Sequence, residues 1–368
     1  MTSKQDRALE LIIVGGGPAG MMAGLLFARA GCGVKVLEKH ADFFRDFRGD
    51  TVHPSTMEIL SQLGMLERFL KRAHNRVTTA QLRLAGREWT IGDLSHLDTP
   101  APFIAMMPQW DFLDFLREEA KAFPGFHLDM EAAVTGFIDE QGRVAGVRLE
   151  NGVELRAKLI IAADGRSSIA RTMLPLEDLG APMDVFWFRV GKKGKEGGLR
   201  GNVERGRLLV MIDRGDYWQC AFLIPKGAAE SYQARGIDAI REEVRKAAPP
   251  GLDLAELNDI GDLRLLTVKL DRLTCWWRPG LLAIGDAAHA MSPIGGIGIN
   301  LAIQAAQKIA QDNIIGRLLQ PGEPITTAPL PIRLLDRFPL LRRIPGRFIG
   351  LGVRRERVRS PAAPGQKP

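Results

Sequence analysis

The sequence predicts an α/β protein in which a parallel, Rossmann-like sheet is interrupted by a mainly antiparallel sheet. Three observations support this fold class. The chain opens with an apolar strand, a glycine-rich turn and a helix. Two further apolar runs, 159–162 and 281–284, each lead into a Gly/Asp pair, as buried parallel strands of such a sheet do. Between them, residues 183–225 contain successive strand-like segments with turn signals, which is typical of an antiparallel layer.

The first element of the chain is a strand–helix–strand unit. Residues 11–14 are short and apolar enough for a buried strand, residues 18–30 are expected to form a helix, and residues 34–37 a second strand. The amino terminus of that helix presents free N–H groups and a partial positive charge. An anionic group, such as a pyrophosphate, is therefore expected at the start of the helix.

The turn of this unit carries a GxGxxG pattern. Gly15 permits a tight turn, Gly17 lets the backbone approach a pyrophosphate, and Gly20 lets the helix lie close to the strand. Glu38 follows the second strand, and an acid at this place suits ribose hydroxyls and disfavours a 2′-phosphate. A glycine-rich turn without a ligand would not account for Glu38. The segment therefore predicts dinucleotide binding, with FAD or NAD favoured over NADP.

Composition and cysteine usage bound the other possibilities. The chain has 368 residues, 45% hydrophobic and 25% charged, which is ordinary for a globular protein with room for two domains. No apolar run of transmembrane length occurs, and the polar start lacks the core of a signal peptide. Cys32, Cys220 and Cys275 are widely spaced and fit neither a disulfide framework nor a metal cluster. We therefore expect a reducing, cytoplasmic location.

The net charge of +7 is concentrated in the C-terminal tail. Residues 331–359 contain nine arginines against Asp336 and Glu356, so that residues 1–330 carry about −1. A uniformly basic nucleic-acid-binding protein would not show this distribution. The tail could lie on anionic lipid, or it could pack its apolar side on the FAD domain with its arginines in water. Its prolines break any long helix, which favours packing over membrane contact.

Elements between the motifs follow from periodicity and turn residues. Ser55 and Glu58 have capping-box spacing, which predicts a helix over 56–72. Gln109 lies at the junction between a short strand and a helix over 110–122. The remaining predictions are a hairpin over 77–92 that turns near Gly86, a β-meander over 126–155, a helix over 237–247 and a strand over 263–270.

These elements divide the chain into two domains and a tail. The antiparallel segments are expected to form one substrate-side layer inserted into a discontinuous nucleotide-binding domain. The nucleotide-binding domain then comprises 1–76, 103–175 and 271–320, the substrate domain 77–102 and 176–270, and the basic tail 321–368.

Three motifs together resemble those of the FAD-dependent aromatic hydroxylases, the family of para-hydroxybenzoate hydroxylase. They are GxGxxG with Glu38, ADGRSSIAR at 163–171, and GDAAHAMSPIGGIGINLA at 285–302. The resemblance implies a Rossmann-like FAD-binding domain with a parallel sheet and β-meander, plus an inserted antiparallel substrate domain. It also implies a monooxygenase that uses NADH or NADPH and dioxygen to hydroxylate an aromatic or polycyclic small molecule through a flavin C4a-hydroperoxide.

The resemblance also assigns roles to residues. Asp286 would bind the ribityl chain, and the helix after Gly298 would stabilise the anionic reduced flavin. The carbonyl of Pro293 would face the substrate. Ala305 departs from the acid usual in the family. The full set of candidate cofactor-binding residues is Gly15, Gly17, Pro18, Ala19, Gly20, Glu38, Lys39, Arg48, Gln109, Asp164, Gly165, Gly285, Asp286, Gly296, Gly298, Ile299 and Asn300.

Four further side chains have two possible interpretations each. His53 could relay a proton from the substrate, although a structural hydrogen bond is favoured. His289 is expected to pack or hydrogen-bond beside Asp286 rather than to act in catalysis. Tyr217 and Gln219 share one face of a predicted strand. That face either lines the substrate pocket or divides core from solvent, and the sequence favours neither.

Two other functions remain open at this point. The first keeps FAD but not oxygen insertion, as in a dehydrogenase or double-bond reductase. The second is a non-enzymatic binding protein on the same fold, as in the GDP-dissociation inhibitors. The sequence predicts neither the oligomeric state nor a metal site.

Overall fold

The computed structural model describes residues 9–44, 51–194, 197–290 and 325–352, together with 355, 357, 358 and 362. The N-terminal unit consists of β1 (Leu9–Val14), α1 (Pro18–Arg29) and β2 (Val34–Leu37). β1 and β2 pair in parallel, with Val14 opposite Leu37. The strand–helix–strand unit predicted from the short apolar runs and the glycine-rich turn is therefore confirmed.

The main sheet has eight strands, and β1 lies at its centre. The other strands are β8 (Phe126–Asp129), β9 (Val134–Glu140), β10 (Arg143–Leu149), β11 (Glu154–Ala162), β19 (Trp277–Arg278) and β20 (Leu281–Ala283). The order β19–β20–β11–β1–β2–β8 is parallel except for β19, while β9 and β10 form the antiparallel meander on β11.

The carboxyl ends of four parallel strands are aligned. Val14 pairs with Leu37 on one side and with Ala162 on the other, and Ala162 pairs with Ala283. Ligands of open α/β sheets lie outside this edge. The register thus brings the glycine turn, Glu38 and the two Gly/Asp turns to one end of the sheet.

Three helices cover one face of this sheet around α1: α2 (Pro54–Gln62), α3 (Leu66–Phe69) and α4 (Gln109–Ala120). The single helix predicted over 56–72 is wrong, because Gly64 adopts a φ of +70° and ends α2. The Met65 N–H donates to Leu60 O and the Gly64 N–H to Ser61 O, which is a Schellman motif. The predicted cap is also wrong, since His53 occupies the N-cap position.

The second large sheet has seven strands in the order β17–β13–β16–β15–β14–β5–β6. Its strands are β5 (Thr79–Leu84), β6 (Arg87–Asp93), β13 (Met183–Gly191), β14 (Leu199–Glu204), β15 (Arg207–Asp213), β16 (Tyr217–Pro225) and β17 (Arg264–Leu266). All neighbours are antiparallel except β14 and β5. The hairpin at Gly86 is confirmed, whereas the strand predicted over 263–270 is only three residues long.

The two faces of the seven-stranded sheet pack differently. One face, with Phe186, Phe188 and Cys220, is covered by α6 (Ile237–Ala247), which has the predicted bounds; α5 (Ala229–Ala234) precedes it. The opposite face, with Val185, Trp187 and Ala221, packs against other parts of the chain.

Two small sheets connect these layers. One contains β3 (Thr51–Val52), β4 (Asn75–Val77) and β7 (Ile104–Met106), and the other β12 (Leu176–Asp178), β18 (Asp271–Leu273) and β21 (His289–Ala290). The C-terminal segment forms α7 (Leu330–Arg337) and α8 (Arg343–Leu351), and both lie on β6. Among the described residues, no helix is long and apolar enough to cross a membrane.

Candidate functional site

The glycine turn between β1 and α1 depends on the absence of two side chains. Gly15 has a φ of +104°, and a Cβ there would lie 2.5 Å from Ala163 O. A Cβ on Gly20 would lie 1.9 Å from Gly15 O. A Cβ on Gly17 would meet nothing within 4 Å. The turn and the close helix packing therefore require glycine at the first and third positions, while the space at Gly17 is open to a ligand.

Glu38 holds the same turn from the end of β2. Its Oε2 accepts the Gly16 N–H at 2.9 Å, and its Oε1 accepts the His40 N–H at 3.1 Å. The Glu38 residue is 9% exposed. Lys39, which follows it, is exposed. A buried carboxylate thus lies at the edge of the space above the glycine turn.

Asp164 ends the neighbouring strand β11 and faces the first motif. Its Oδ2 accepts the Ile169 N–H at 3.3 Å, whereas its Oδ1 is buried and has no hydrogen-bond partner among the residues described. Burial raises the pKa of this carboxyl group. Gly165 follows with a φ of +83° and opens a 3-10 turn. A buried carboxylate oxygen without a donor fits a ligand hydroxyl.

The third turn, at Gly285 and Asp286, also closes on α1. Gly285 has a φ of +57°, and a Cβ there would lie 2.8 Å from the Ala19 Cβ. The Ile284 N–H donates to Ala162 O, which fixes the turn to β11. The Asp286 carboxylate lies 3.9 Å from the Arg166 guanidinium. The three turns therefore surround one edge of the sheet, as the aligned strand ends require.

Arg171 connects the second and third turns, and sequence reasoning gave it no role. Its guanidinium forms a buried bidentate pair with Asp271, at 2.8 and 2.9 Å. It also donates to Asp286 O at 2.7 Å and to Ala287 O at 3.1 Å. Arg171 is the last residue of the ADGRSSIAR motif, and this position was the signal from which the sequence could have identified it. Arg171 therefore fixes the backbone that carries Asp286.

His289 is buried beside this ion pair. Its ring centroid lies 5.5 Å from that of Trp276. Burial and the neighbouring Arg171 lower the pKa of His289, so the ring is held neutral. This environment agrees with the expected packing role.

His53 and Gln109 occupy helix starts. His53 is buried, with Nδ1 2.9 Å from Ile349 O, as expected for a structural hydrogen bond. Gln109 is partly buried and is the first residue of α4, where it was expected. The remaining candidates lie outside the described residues: Arg48, Pro293, Gly296, Gly298, Ile299, Asn300 and Ala305.

Polar side chains on the α6-free face of the seven-stranded sheet form a second cluster. Gln219 is 4% exposed; its Oε1 accepts the Arg214 Nε–H at 3.2 Å, and its Nε2 has no partner among the described residues. The buried Nε1 of Trp187, on the adjacent strand β13, also has no hydrogen-bond partner among the described residues. Desolvation lowers the pKa of Arg214 to about 10. Sequence reasoning missed Trp187 and Arg214, because the pairing of β13 with β16 was not predictable.

Tyr217 lies at the start of β16, on the same face as Gln219, and is partly buried. Its carbonyl accepts the Arg214 N–H at 3.0 Å. Trp218 and Cys220 point to the α6 side, where both belong to the core. The predicted separation of the two faces is therefore confirmed.

Comparisons with known proteins agree with this geometry. Residues 8–312 match a family model described as an FAD binding domain. The chain is 32% identical over 305 residues to 6-methylpretetramide 4-monooxygenase of Streptomyces rimosus, covering 81% of this chain and 73% of that protein. It is 27% identical to a rifampicin monooxygenase of Streptomyces venezuelae, of which it spans 62%.

Solved structures show the same fold. PqsL from Pseudomonas aeruginosa in complex with 2-aminobenzoylacetate superposes with a TM-score of 0.68 at 20% identity, over 93% of this chain and 94% of that one. A p-nitrophenol 4-monooxygenase from Pseudomonas putida gives a TM-score of 0.66 at 21% identity, over 82% and 79% of the two chains.

Proposed function

The chain belongs to the FAD-binding-domain family of flavin-dependent aromatic monooxygenases, and on that premise we propose that it hydroxylates a multi-ring aromatic small molecule. NADH or NADPH and dioxygen are the co-substrates. The balanced reaction takes one oxygen atom into the product and the other into water, with two electrons from the nicotinamide. The observation that carries the proposal is the meeting of three distant turns at one sheet edge.

The residues at this edge fit FAD. The open space at Gly17 and the amino terminus of α1 suit the pyrophosphate, and Glu38 suits a ribose. The bare Oδ1 of Asp164 suits a hydroxyl of the cofactor. When bound, the flavin supplies the redox and oxygen chemistry. The proposed set is completed at this edge by Gly15, Pro18, Ala19, Gly20, Lys39, Gly165, Gly285 and Asp286.

Further cofactor and substrate residues are proposed on the family resemblance. Gln109 would approach the cofactor from the start of α4. Pro293 would place its carbonyl beside the substrate. Arg48, Gly296, Gly298, Ile299 and Asn300 would complete the flavin site. His53 remains a weaker candidate for proton transfer, since its Nδ1 already lies 2.9 Å from Ile349 O.

The substrate side is proposed to be the face of the seven-stranded sheet that carries Gln219 and Trp187. Their two buried N–H donors, with Arg214 beside them, suit carbonyl or phenolate oxygens on the substrate. Tyr217 lies at the margin of this face. The names of two relatives mention 6-methylpretetramide and rifampicin, which supports a large substrate rather than a simple phenol.

We further propose the two-domain division given above, with boundaries near 77, 103, 176 and 271. It is supported by the seven-stranded sheet, whose described strands all lie within 79–93 and 183–266. The three cysteines, all free, support a cytoplasmic location.

The test uses the purified full chain. We expect flavin absorbance, and NADPH or NADH oxidation that speeds up when multi-ring phenols or quinones are added in air. With ¹⁸O₂, the product should gain one labelled oxygen. A flavin-containing protein that gives full product yield without dioxygen would instead support a reductase. A protein that never retains FAD would support the non-enzymatic binding protein.

A further inference from the structure

The outer side of the C-terminal segment carries a concentration of exposed apolar side chains. We call this the C-terminal apolar face; it consists of Leu330, Leu334, Phe338, Leu340, Leu341, Ile344 and Phe348. Leu340 is 69% exposed, Ile344 57% and Phe338 53%. The other six exposed large hydrophobic residues described are widely separated in the sequence. Contiguous exposed apolar surface of this kind marks an interaction site.

The opposite side of the segment is fixed to the body. A Cβ on Gly346 would lie 1.9 Å from Asp93 O, so α8 lies directly against the end of β6. Ile349 O lies 2.9 Å from the ring of His53, and Arg87 pairs with Asp336 at 2.8 Å. The apolar face therefore points outward because the inner side of the helices is already packed.

The charges on the segment are cationic. Arg333, Arg337, Arg343 and Arg347 are exposed, and none of them forms an ion pair with a carboxylate of the described residues. Asp336 is engaged by Arg87 and Arg342. The outer surface thus combines exposed apolar side chains with exposed arginines, of which Arg343 adds to the hydrogen bond from Ser95 in lowering the pKa of Asp93 at the end of β6.

We propose that the C-terminal apolar face binds the surface of an anionic lipid bilayer. Arginines alternate with apolar residues along the segment, so a second copy of this face would bring like charges together, whereas the phosphates of anionic lipid complement them. In a bilayer surface, the apolar side chains enter the headgroup–acyl boundary and the arginine heads reach lipid phosphates. This inference does not depend on the proposed enzymatic activity.

Vesicle co-sedimentation of the full chain tests the proposal. Vesicles of equal parts phosphatidylglycerol and phosphatidylcholine should bind the protein, and high salt should weaken that binding. Vesicles of phosphatidylcholine alone should bind it at least tenfold less. Equal binding to both vesicles, or binding to neither, would overturn the proposal.

Two pairs of variants locate the contact. R343Q/R347Q should weaken binding to the anionic vesicles by about 25-fold, at roughly fivefold for each cation removed. L340S/F348S should weaken it by at least tenfold. The matched controls are K71Q/K121Q and L176S/L265S, which remove exposed residues elsewhere and should change binding less than twofold.

Unfolding of the variants is monitored by thermal melting, because only folded variants count. If the controls lose as much binding as the test variants, the face is not the contact. If L340S/F348S instead splits a dimer of the wild type that does not bind vesicles, the face joins two copies of the chain and the lipid proposal is wrong.

Discussion

At the scale of one residue, Asp164, which is proposed to bind the cofactor, is held at a cost in stability. Its carboxyl group is buried, one of its oxygens has no donor among the described residues, and burial raises its pKa above the ordinary 3.8. At neutral pH the flavin-free protein therefore carries an ionised carboxylate in an unfavourable place.

The variant D164N should make this cost visible. Removing the charge should raise the melting temperature of the flavin-free protein at pH 8. The gain in melting temperature should be full above the raised pKa of Asp164. It should vanish as the pH falls below the ordinary aspartate pKa, where the side chain at position 164 is uncharged in both proteins. FAD affinity should fall by at least tenfold. Thermal melts from pH 3 to 8 check the first effect and flavin fluorescence titration the second. An unchanged melting temperature at all pH values would contradict the assignment.

The sequence predicted single residues where they belong to a recognisable motif. It did not predict residues whose roles depend on tertiary contacts. Gly15, Gly20 and Glu38 are recognisable because turn geometry demands those residue types. Trp187 and Arg171 are not, because their roles come from neighbours across a sheet and from a partner 100 residues away.

At the scale of elements, the junction of β1 and α1 contains a structural glycine, Gly20, and a glycine proposed to face the cofactor, Gly17. G20A should destabilise the flavin-free protein by about 1–3 kcal/mol or more, because the new methyl group overlaps Gly15 O. G17A should change that stability by less than about 0.5 kcal/mol, since its φ of −70° suits alanine and its surroundings are open. It should nevertheless weaken FAD binding at least tenfold.

Urea unfolding and flavin titration of the two glycine variants provide the comparison. Each variant is the control for the other, since both add one methyl group to the same turn. If G17A bound FAD like the wild type, the pyrophosphate would not lie above that glycine.

The turns at Asp164 and Asp286 are joined by the pair between Arg171 and Asp271. R171M should cost about 3–5 kcal/mol, because it leaves a buried carboxylate without its partner. The double variant R171M/D271N should recover most of this loss, since it removes the stranded charge and keeps an acceptor for the Ala290 N–H.

FAD affinity distinguishes the effect of Arg171 on protein stability from its role in positioning the turn at Asp286. Both should bind FAD weakly, because the carbonyls of Asp286 and Ala287 lose their donor in each. Denaturation curves and flavin titration of both variants are the measurements. Recovery of stability and affinity together in the double variant would show that Arg171 does not position the turn.

Periodicity predicted most elements but not their interruptions. The helix over 237–247 has the predicted bounds, because its apolar stripe faces a sheet. The helix over 56–72 divides at Gly64, where a Schellman motif and tertiary packing override the apolar pattern. Strand β14 escaped prediction because its residues alternate weakly, and its parallel pairing with β5 is a tertiary feature.

For the whole molecule, only a ligand long enough to reach all three turns should protect them together. FAD should protect the backbone amides near Gly17, Asp164 and Gly285 from hydrogen exchange. ADP should protect the first of these regions, because it lacks the flavin half that would approach Asp286. Hydrogen-exchange mass spectrometry makes this comparison at saturating concentrations of each ligand. Equal protection by ADP at Gly285 would contradict an extended cofactor across the sheet edge.

The architecture was predictable at this scale because parallel sheets obey strong rules. Aligned strand ends follow once three apolar runs are assigned to one sheet, and ligand position follows from the edge. Two prolines favoured packing of the tail's apolar side on the FAD domain, but α7 and α8 lie on β6 of the seven-stranded sheet. The outward direction of their apolar residues depends on contacts with Asp93 and His53.

The central place of β1 has a consequence for synthesis on the ribosome. One neighbour, β2, is made at once, but the other, β11, begins at residue 154, and β20 lies about 270 residues downstream. At ordinary translation rates, β20 is therefore made roughly 15–50 s after β1. Throughout the first part of that interval one apolar edge of the nascent sheet stays open, so the emerging chain is expected to need a chaperone until its middle third has left the exit tunnel.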